Sequence, residues 1–388
     1  MTFHETPRLP RGFRTASRNC GLKASGKDLA VFVSEVDAAA AALFTRNHFP
    51  GAPVILGREI IRRGVLRAIV VNSKVSNVAT GERGLEDARR MAAAAARALG
   101  TSPERVLVAS TGVIGLPLPI EKIEHGLNGI AADLVDDPRV GVEGMMTTDT
   151  YPKALSLSVG DITIAWVAKG SGMIEPNMAT MLVYIMTDAA IPASELERHL
   201  RAAIEVSFNM LSVDSDTSTS DTCAMLANGL AGRVDADGFR RALTMGCLRM
   251  TEMLARDGEG ATKLLRATVR GAKNTDEARR IAKSLVNSPL VKTMVHGADP
   301  NVGRVLMAVG KCFDCTVRPD TTDAWINGQK VVQGGRRTAF DEATVRAALG
   351  TDTADIVVAL GVGDGEATAF GCDLSAGYVK ENAAYYSS

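Results

Sequence analysis

Apolar and polar positions along this chain follow two rhythms that exchange with one another throughout. LEDARRMAAAAARAL at 85–99 is Ala-rich and contains neither Gly nor Pro, so it predicts a helix. The β-branched run at 106–109 predicts a short strand ending in the turn-like STGVIG. Residues 119–134 read as a helix with Pro at its start. Two strands, 155–159 and 162–167, flank Gly160-Asp161, a hairpin-type turn. A buried strand is expected at 181–186, then helices at 192–208 and 237–256. A strand at 264–269, helices at 275–286 and 301–309, and a late strand at 356–362 complete the pattern. This mixture predicts an α/β fold of layered sheets flanked by helices. No repeat, low-complexity block or interdomain linker stands out, but residues 297–300 break the pattern where a smaller C-terminal lobe would begin, near residue 297.

Composition narrows the function. The 388 residues are 46% hydrophobic, enough for a sizeable core. Lys plus Arg equals Asp plus Glu, 44 each, and the balance gives no support for nucleic acid or an acidic surface as partner. Arg8, Arg11, Arg14 and Arg18 crowd the start, yet the apolar region of a secretory signal is absent and an exposed arm fits better. No window approaches the ~18 uninterrupted apolar residues of a membrane span. A cytoplasmic protein with free thiols is therefore expected. Cys312 and Cys315 form a lone C-x-x-C without a second pair or suitably spaced histidines, so neither a metal site nor a cofactor is predicted.

Candidate chemistry is sparse. GVGDGEA at 361–367 contains G-x-G-x-G, but a strand-like ATAFGCDL follows instead of a helix, and a hairpin turn is the better reading. GEGATK at 258–263 lacks the spacing of a phosphate-binding loop. No G-x-S-x-G occurs, and GSG at 170–172 reads as a flexible turn. One other route to a nucleophile exists. A threonine exposed as an N-terminus carries its own α-amine as base. Ala179-Thr180-Met181, followed by LVYIM, has the small preceding residue and the strand such a site needs. An ordinary strand threonine would look the same.

The words around Thr180 decide between these readings. KGSGMIEPNMATML at 169–182 resembles the signature of the ornithine acetyltransferase family, the arginine-biosynthesis glutamate N-acetyltransferases. Seven further blocks resemble that family in order: VATGERGLEDARRMA at 78–92, ASTGVIG at 109–115, MTTDTYPK at 146–153, SFNMLSVDSDTSTSDT at 207–222, DGEGATK at 257–263, SPLVKTMVHGADPNVGR at 288–304 and GCDLSAGYVKENAAYYS at 371–387. They span nearly the whole chain.

The resemblance implies a layered fold shared with autoprocessed aminopeptidases, and cleavage between Ala179 and Thr180 into chains 1–179 and 180–388. It implies that Thr180 carries acetyl from N-acetylornithine to glutamate as a covalent ester. Thr111 and Gly112 match the oxyanion pair, and Thr147, Lys169, Thr180, Glu259, Asn382 and Ser387 match substrate-binding positions. Lys169 would hold a carboxylate and Glu259 a cationic amine. The resemblance also implies a heterotetramer of two chains of each kind, and leaves open whether acetyl-CoA serves as a further donor. The polar run at 214–222 is expected as a buried, hydrogen-bonded turn supporting the site.

Departures from the family pattern bear on specificity. Lys74 and Val75 replace small or amide residues, Val302 stands where Trp is usual, and Glu175 occupies a position where Ala or a basic residue is common. A related acyltransferase of specialised metabolism with a different amino-acid-like substrate is the competing enzyme reading. An N-terminal-nucleophile aminopeptidase and a non-catalytic binding protein are the others.

Overall fold

The Ala-rich segment forms the helix Gly81–Leu99, as its composition predicts. Ala88, Met91, Ala92, Ala95 and Ala96 recur at the spacing of one helical face and are buried in the core. The computed structural model describes residues 1–175 and 181–383. The chain divides into two units: residues 1–170, 176–209 and 217–250, and residues 171–175, 210–216 and 251–388.

Among the described residues, the first unit is built on a nine-stranded mixed sheet. Its path runs Thr2–Phe3, Lys153–Val159, Ile162–Lys169, Leu182–Ala189, Thr222–Gly232, Leu29–Phe44, Val65–Asn72 and Val106–Ser110, with Phe13–Arg18 beside Leu29–Phe44. Three pairings set the ends of these strands. Lys169 lies opposite Leu182 in an antiparallel pair, Leu182 opposite Thr222 in a parallel pair, and Asn72 opposite Ser110 in another parallel pair. The long strand Leu29–Phe44 changes partners along its length. Its first half pairs with Phe13–Arg18 and its second with Thr222–Gly232. The ladder to Val65–Asn72 slips between Val33 and Ala38, which bends the strand. Phe32 and Tyr184 meet in the core with ring centroids 5.4 Å apart.

Among the described residues, the second unit holds six strands ordered Arg336–Arg337, Gln329–Gln333, Asp323–Ile326, Thr353–Ala359, Leu264–Ala272 and Gly365–Cys372. The helix Thr275–Asn287 packs on the last two. Asn274 caps its start by accepting from the Glu277 N–H at 2.9 Å. The mixed α/β class and the layered sheets expected from the sequence are borne out.

Two local expectations need correction. The helix expected over 119–134 ends at Leu127, because Asn128 leaves helical geometry and Gly129 turns left-handed at φ 67°. The turn at 361–367 does not make a hairpin. Thr353–Ala359 and Gly365–Cys372 flank Leu264–Ala272 on opposite edges, and the connection passes over that strand's end. Leu360, Val362 and Gly363 donate there to the carbonyls of Arg270 and Gly271, at 2.9, 2.9 and 3.1 Å.

Candidate active site

In the first unit, the turn after Val106–Ser110 is set by the turn after its parallel neighbour. Thr111 N–H donates to the Asn72 carbonyl at 3.0 Å and Val113 N–H to the Lys74 carbonyl at 2.9 Å. Asn72, fully buried, accepts from the Ser110 hydroxyl at 2.6 Å. Gly112 sits at φ 128°, and a Cβ there would lie 2.2 Å from the Lys74 carbonyl carbon, so only glycine fits. Lys74 (φ 80°), Asn77 (φ 53°) and Ala79 (φ 58°) place three non-glycine residues of this loop in the left-handed region.

Lys169, at the end of its strand, is buried and donates from Nζ to the Thr111 hydroxyl at 3.2 Å. That occupies a lone pair of Thr111 Oγ1 and directs the hydroxyl hydrogen elsewhere. Among the described residues nothing accepts this hydrogen or the Gly112 N–H. Two adjacent donors are thus available to a developing negative charge.

Asp149 joins this group to the loop that carries Thr147. Its side chain is wholly buried, as is that of Lys153. One oxygen accepts from Lys153 Nζ at 2.6 Å and from the Gly170 N–H at 2.7 Å; the other accepts from the Thr147 N–H at 3.0 Å. Burial pushes this carboxyl's pKa up, but the charges of Lys153 and Lys169 and the Gly170 N–H outweigh it and hold it at about 2. The Gly170 end of the turn expected to be flexible is thereby pinned within the first unit. Asp221 is the opposite case. Burial pushes its carboxyl well above the usual range, against the pull of Ser218, Lys169 and Thr45. Its Oδ2 has no partner among the described residues.

The second unit brings together Glu259 and Asn382. Asn382 donates to the Glu259 carboxylate at 2.7 Å, and the Glu259 N–H donates to the Ser171 carbonyl at 2.8 Å. A Cβ on Gly172 would meet that carboxylate at 2.2 Å, so the glycine of the KGSGM motif makes room for it. The segment Ser171–Glu175 is bound along its length. Asp214 accepts from the Met173 and Ile174 N–H groups at 2.6 and 2.8 Å, and Glu175 N–H donates to the Asp216 carbonyl at 2.9 Å.

The polar run at 214–222 is hydrogen-bonded as expected, but its Ser215–Asp216 tip is exposed. In the first unit, the Thr217, Ser218 and Thr219 carbonyls accept from Asn47 Nδ2, Thr45 Oγ1 and Gly51 N–H at 2.8, 2.7 and 2.9 Å. The reading of Glu175 as a specificity residue meets a different environment, a polar cluster of the second unit with Ser212, Lys283 and Asn287. Ala179, Thr180 and Ser387 lie outside the described residues. Among the described residues no group of three or more His, Cys, Asp or Glu is arranged to hold a metal, Cys312 and Cys315 are free thiols, and no helix is long and apolar enough to cross a membrane.

The sequence model of the ArgJ family matches residues 14–387. The chain belongs to the ArgJ family. The recognition carried by eight ordered motif blocks is therefore borne out, and with it the reading as an acyltransferase. Arginine biosynthesis bifunctional protein ArgJ 2 of Clostridium acetobutylicum is 43% identical over 380 residues, covering 97% of this chain and 98% of that protein. Glutamate N-acetyltransferase Oat2 of Streptomyces clavuligerus is 43% identical over 389 residues, covering 98% of each. The crystal structure of the arginine biosynthesis bifunctional protein ArgJ of Bacillus halodurans superposes with a TM-score of 0.51 at 39% identity, covering 52% of this chain and 98% of that one.

The sequence alone singles out neither Asp149 nor Asp221. Asp149 lay inside the MTTDTYPK block, where TTDT reads as turn chemistry. The available signal was Lys153, four residues on and at the start of a buried strand, a place where a lysine needs an anion. Asp221 lies within the polar run at 214–222, expected as a buried, hydrogen-bonded turn in which the sequence singles out no one residue.

Proposed function

We propose that this chain is a glutamate N-acetyltransferase of arginine biosynthesis. It moves the acetyl group of N2-acetyl-L-ornithine to L-glutamate through an ester on Thr180. The chain first cleaves itself. Thr180 Oγ attacks the Ala179 carbonyl, the C–N bond breaks as the nitrogen takes the hydroxyl proton, and water hydrolyses the ester. Chains 1–179 and 180–388 result. The freed α-amine of Thr180 then accepts the hydroxyl proton as Oγ attacks the acetyl carbonyl of acetylornithine. The proton passes to the leaving ornithine amine. The glutamate amine attacks the acetyl ester in turn, and the Thr180 hydroxyl is restored.

The observation that carries this reading is the Thr111–Gly112 turn: a hydroxyl oriented by Lys169 beside a backbone N–H that has no acceptor among the described residues. Such a pair supports each tetrahedral intermediate. Lys169 and Thr147 serve a substrate carboxylate; Glu259 with Asn382 serves a cationic amine; Ser387 contributes at the chain's end. The named activities of the relatives point the same way. A cytoplasmic heterotetramer of two chains of each kind completes the proposal, and acetyl-CoA is the alternative donor to be tested beside N-acetylornithine.

Denaturing electrophoresis with intact-mass measurement tests it. The purified protein gives two polypeptides meeting at Ala179/Thr180 and an acetyl adduct on Thr180 after incubation with N-acetylornithine. Thr180→Ala gives one inactive chain. A single wild-type chain with full transferase activity overturns the mechanism. Native mass and parallel assays with N-acetylornithine or acetyl-CoA against glutamate decide assembly and donor.

A further inference from the structure

We propose that Glu175 is a positioning residue for self-cleavage, anchoring the approach to the Ala179–Thr180 bond through a cluster of this chain's own. The inference rests on the proposed cleavage. Every contact that follows lies within the second unit. The Glu175 carboxylate accepts from Asn287 Nδ2 at 2.6 Å and from Ser212 Oγ at 2.9 Å, and pairs with Lys283 Nζ at 3.2 Å. Lys283 also donates to the Leu211 carbonyl at 2.6 Å. These side chains are shielded: that of Lys283 is 15% exposed and that of Glu175 is 21% exposed. Asn287 Oδ1 is buried without a partner among the described residues, so the side-chain amide of this asparagine depends on the hydrogen bond that its Nδ2 donates to Glu175.

The anchor holds more than a side chain. The backbone of the same segment is clamped at Met173 and Ile174 by Asp214, at Ile174 again by the Val213 N–H, and at Glu175 by the Asp216 carbonyl. Pro176 follows directly and restricts Glu175 to extended geometry. Two residues, Asn177 and Met178, then remain before Ala179-Thr180. Intramolecular attack on a peptide carbonyl gains its rate from restricted approach, so a tether this near the bond acts on the cleavage barrier. Ser212, Lys283 and Asn287 all belong to 180–388, while Glu175 belongs to 1–179. The tether therefore spans the two future chains and does not depend on the bond it helps to break.

The test is a time course of cleavage after cell-free synthesis, for wild type, Glu175→Gln, Glu175→Ala, Lys283→Met and the charge-exchanged pair Glu175→Lys with Lys283→Glu. Loss of a charge-assisted anchor is expected to slow cleavage about tenfold or more in Glu175→Ala and Lys283→Met. Glu175→Gln, which keeps the shape, is expected to fall between. The exchanged pair is expected to recover most of the rate. Once cleaved, each variant is expected to show wild-type kcat and KM, which a general loss of structure would not allow. Wild-type cleavage rates in both single-site truncations, or kcat falling in parallel with cleavage, overturn the inference. A wild-type chain that never cleaves refutes the proposed function itself, and this inference with it.

Discussion

Asp149 is the residue whose removal says most about the first unit. It satisfies Lys153, the Gly170 N–H and the Thr147 N–H at once. Asp149→Asn takes the Asp149 carboxylate charge away from the buried Lys153 ammonium, and a destabilisation of about 3–5 kcal/mol is expected by denaturant titration. The pH dependence follows from the depressed pKa. Asp149 titrates near 2 in the fold against about 3.9 in the unfolded chain, so its stabilising contribution is complete above about pH 4 and is lost as pH falls through about 2. Melting temperatures of wild type and Asp149→Asn should therefore converge over that window. Thr111→Val removes a hydroxyl donor while keeping the shape, and a fall in kcat of roughly 10²–10³ is expected in the acetyl-transfer assay. Thr111 and Lys169 could be picked out in the sequence because motif wording survives in it. Asp149 could not, because two of its three partners are backbone N–H groups, which any residue supplies.

At the scale of elements, legibility followed local physics. The helix Gly81–Leu99 was plain because propensity and burial period agree in it. The strand Leu29–Phe44 was not anticipated. Its second half, DAAAAALF, favours helix locally, and only pairing with Thr222–Gly232 makes it a strand. The connection at 361–367 reads as a hairpin because a strand-like ATAFGCDL follows its glycines. The intervening strand comes from about a hundred residues earlier, a separation that periodicity does not register. The turn before Glu175 offers an element-level test. Gly172→Ala drives a methyl into the Glu259 carboxylate and should turn it away from Asn382. The expected result is a rise in KM for the ornithine-bearing substrate of about tenfold, with the melting temperature little changed. An unchanged KM would remove Glu259 from the substrate site.

On the scale of the whole molecule, the order of strands in the first unit matters most. Leu182–Ala189 and Thr222–Gly232, both from 180–388, lie between Ile162–Lys169 on one side and Leu29–Phe44 on the other, both from 1–179. Cleavage at Ala179/Thr180 would leave two polypeptides interleaved in one ladder of hydrogen bonds. Before cleavage, the chain brings these strands together within itself, at a loop-closure cost that grows only slowly with length. Afterwards the same pairing becomes a meeting of two molecules. The mature protein is thus expected to hold its fold as a record of a connection it no longer possesses. Unfolded in denaturant and diluted, uncleaved Thr180→Ala should recover native circular dichroism at a rate independent of concentration. The cleaved protein should recover slowly, with a yield that depends on concentration, so its lifetime is governed by how rarely it unfolds rather than by how readily it refolds.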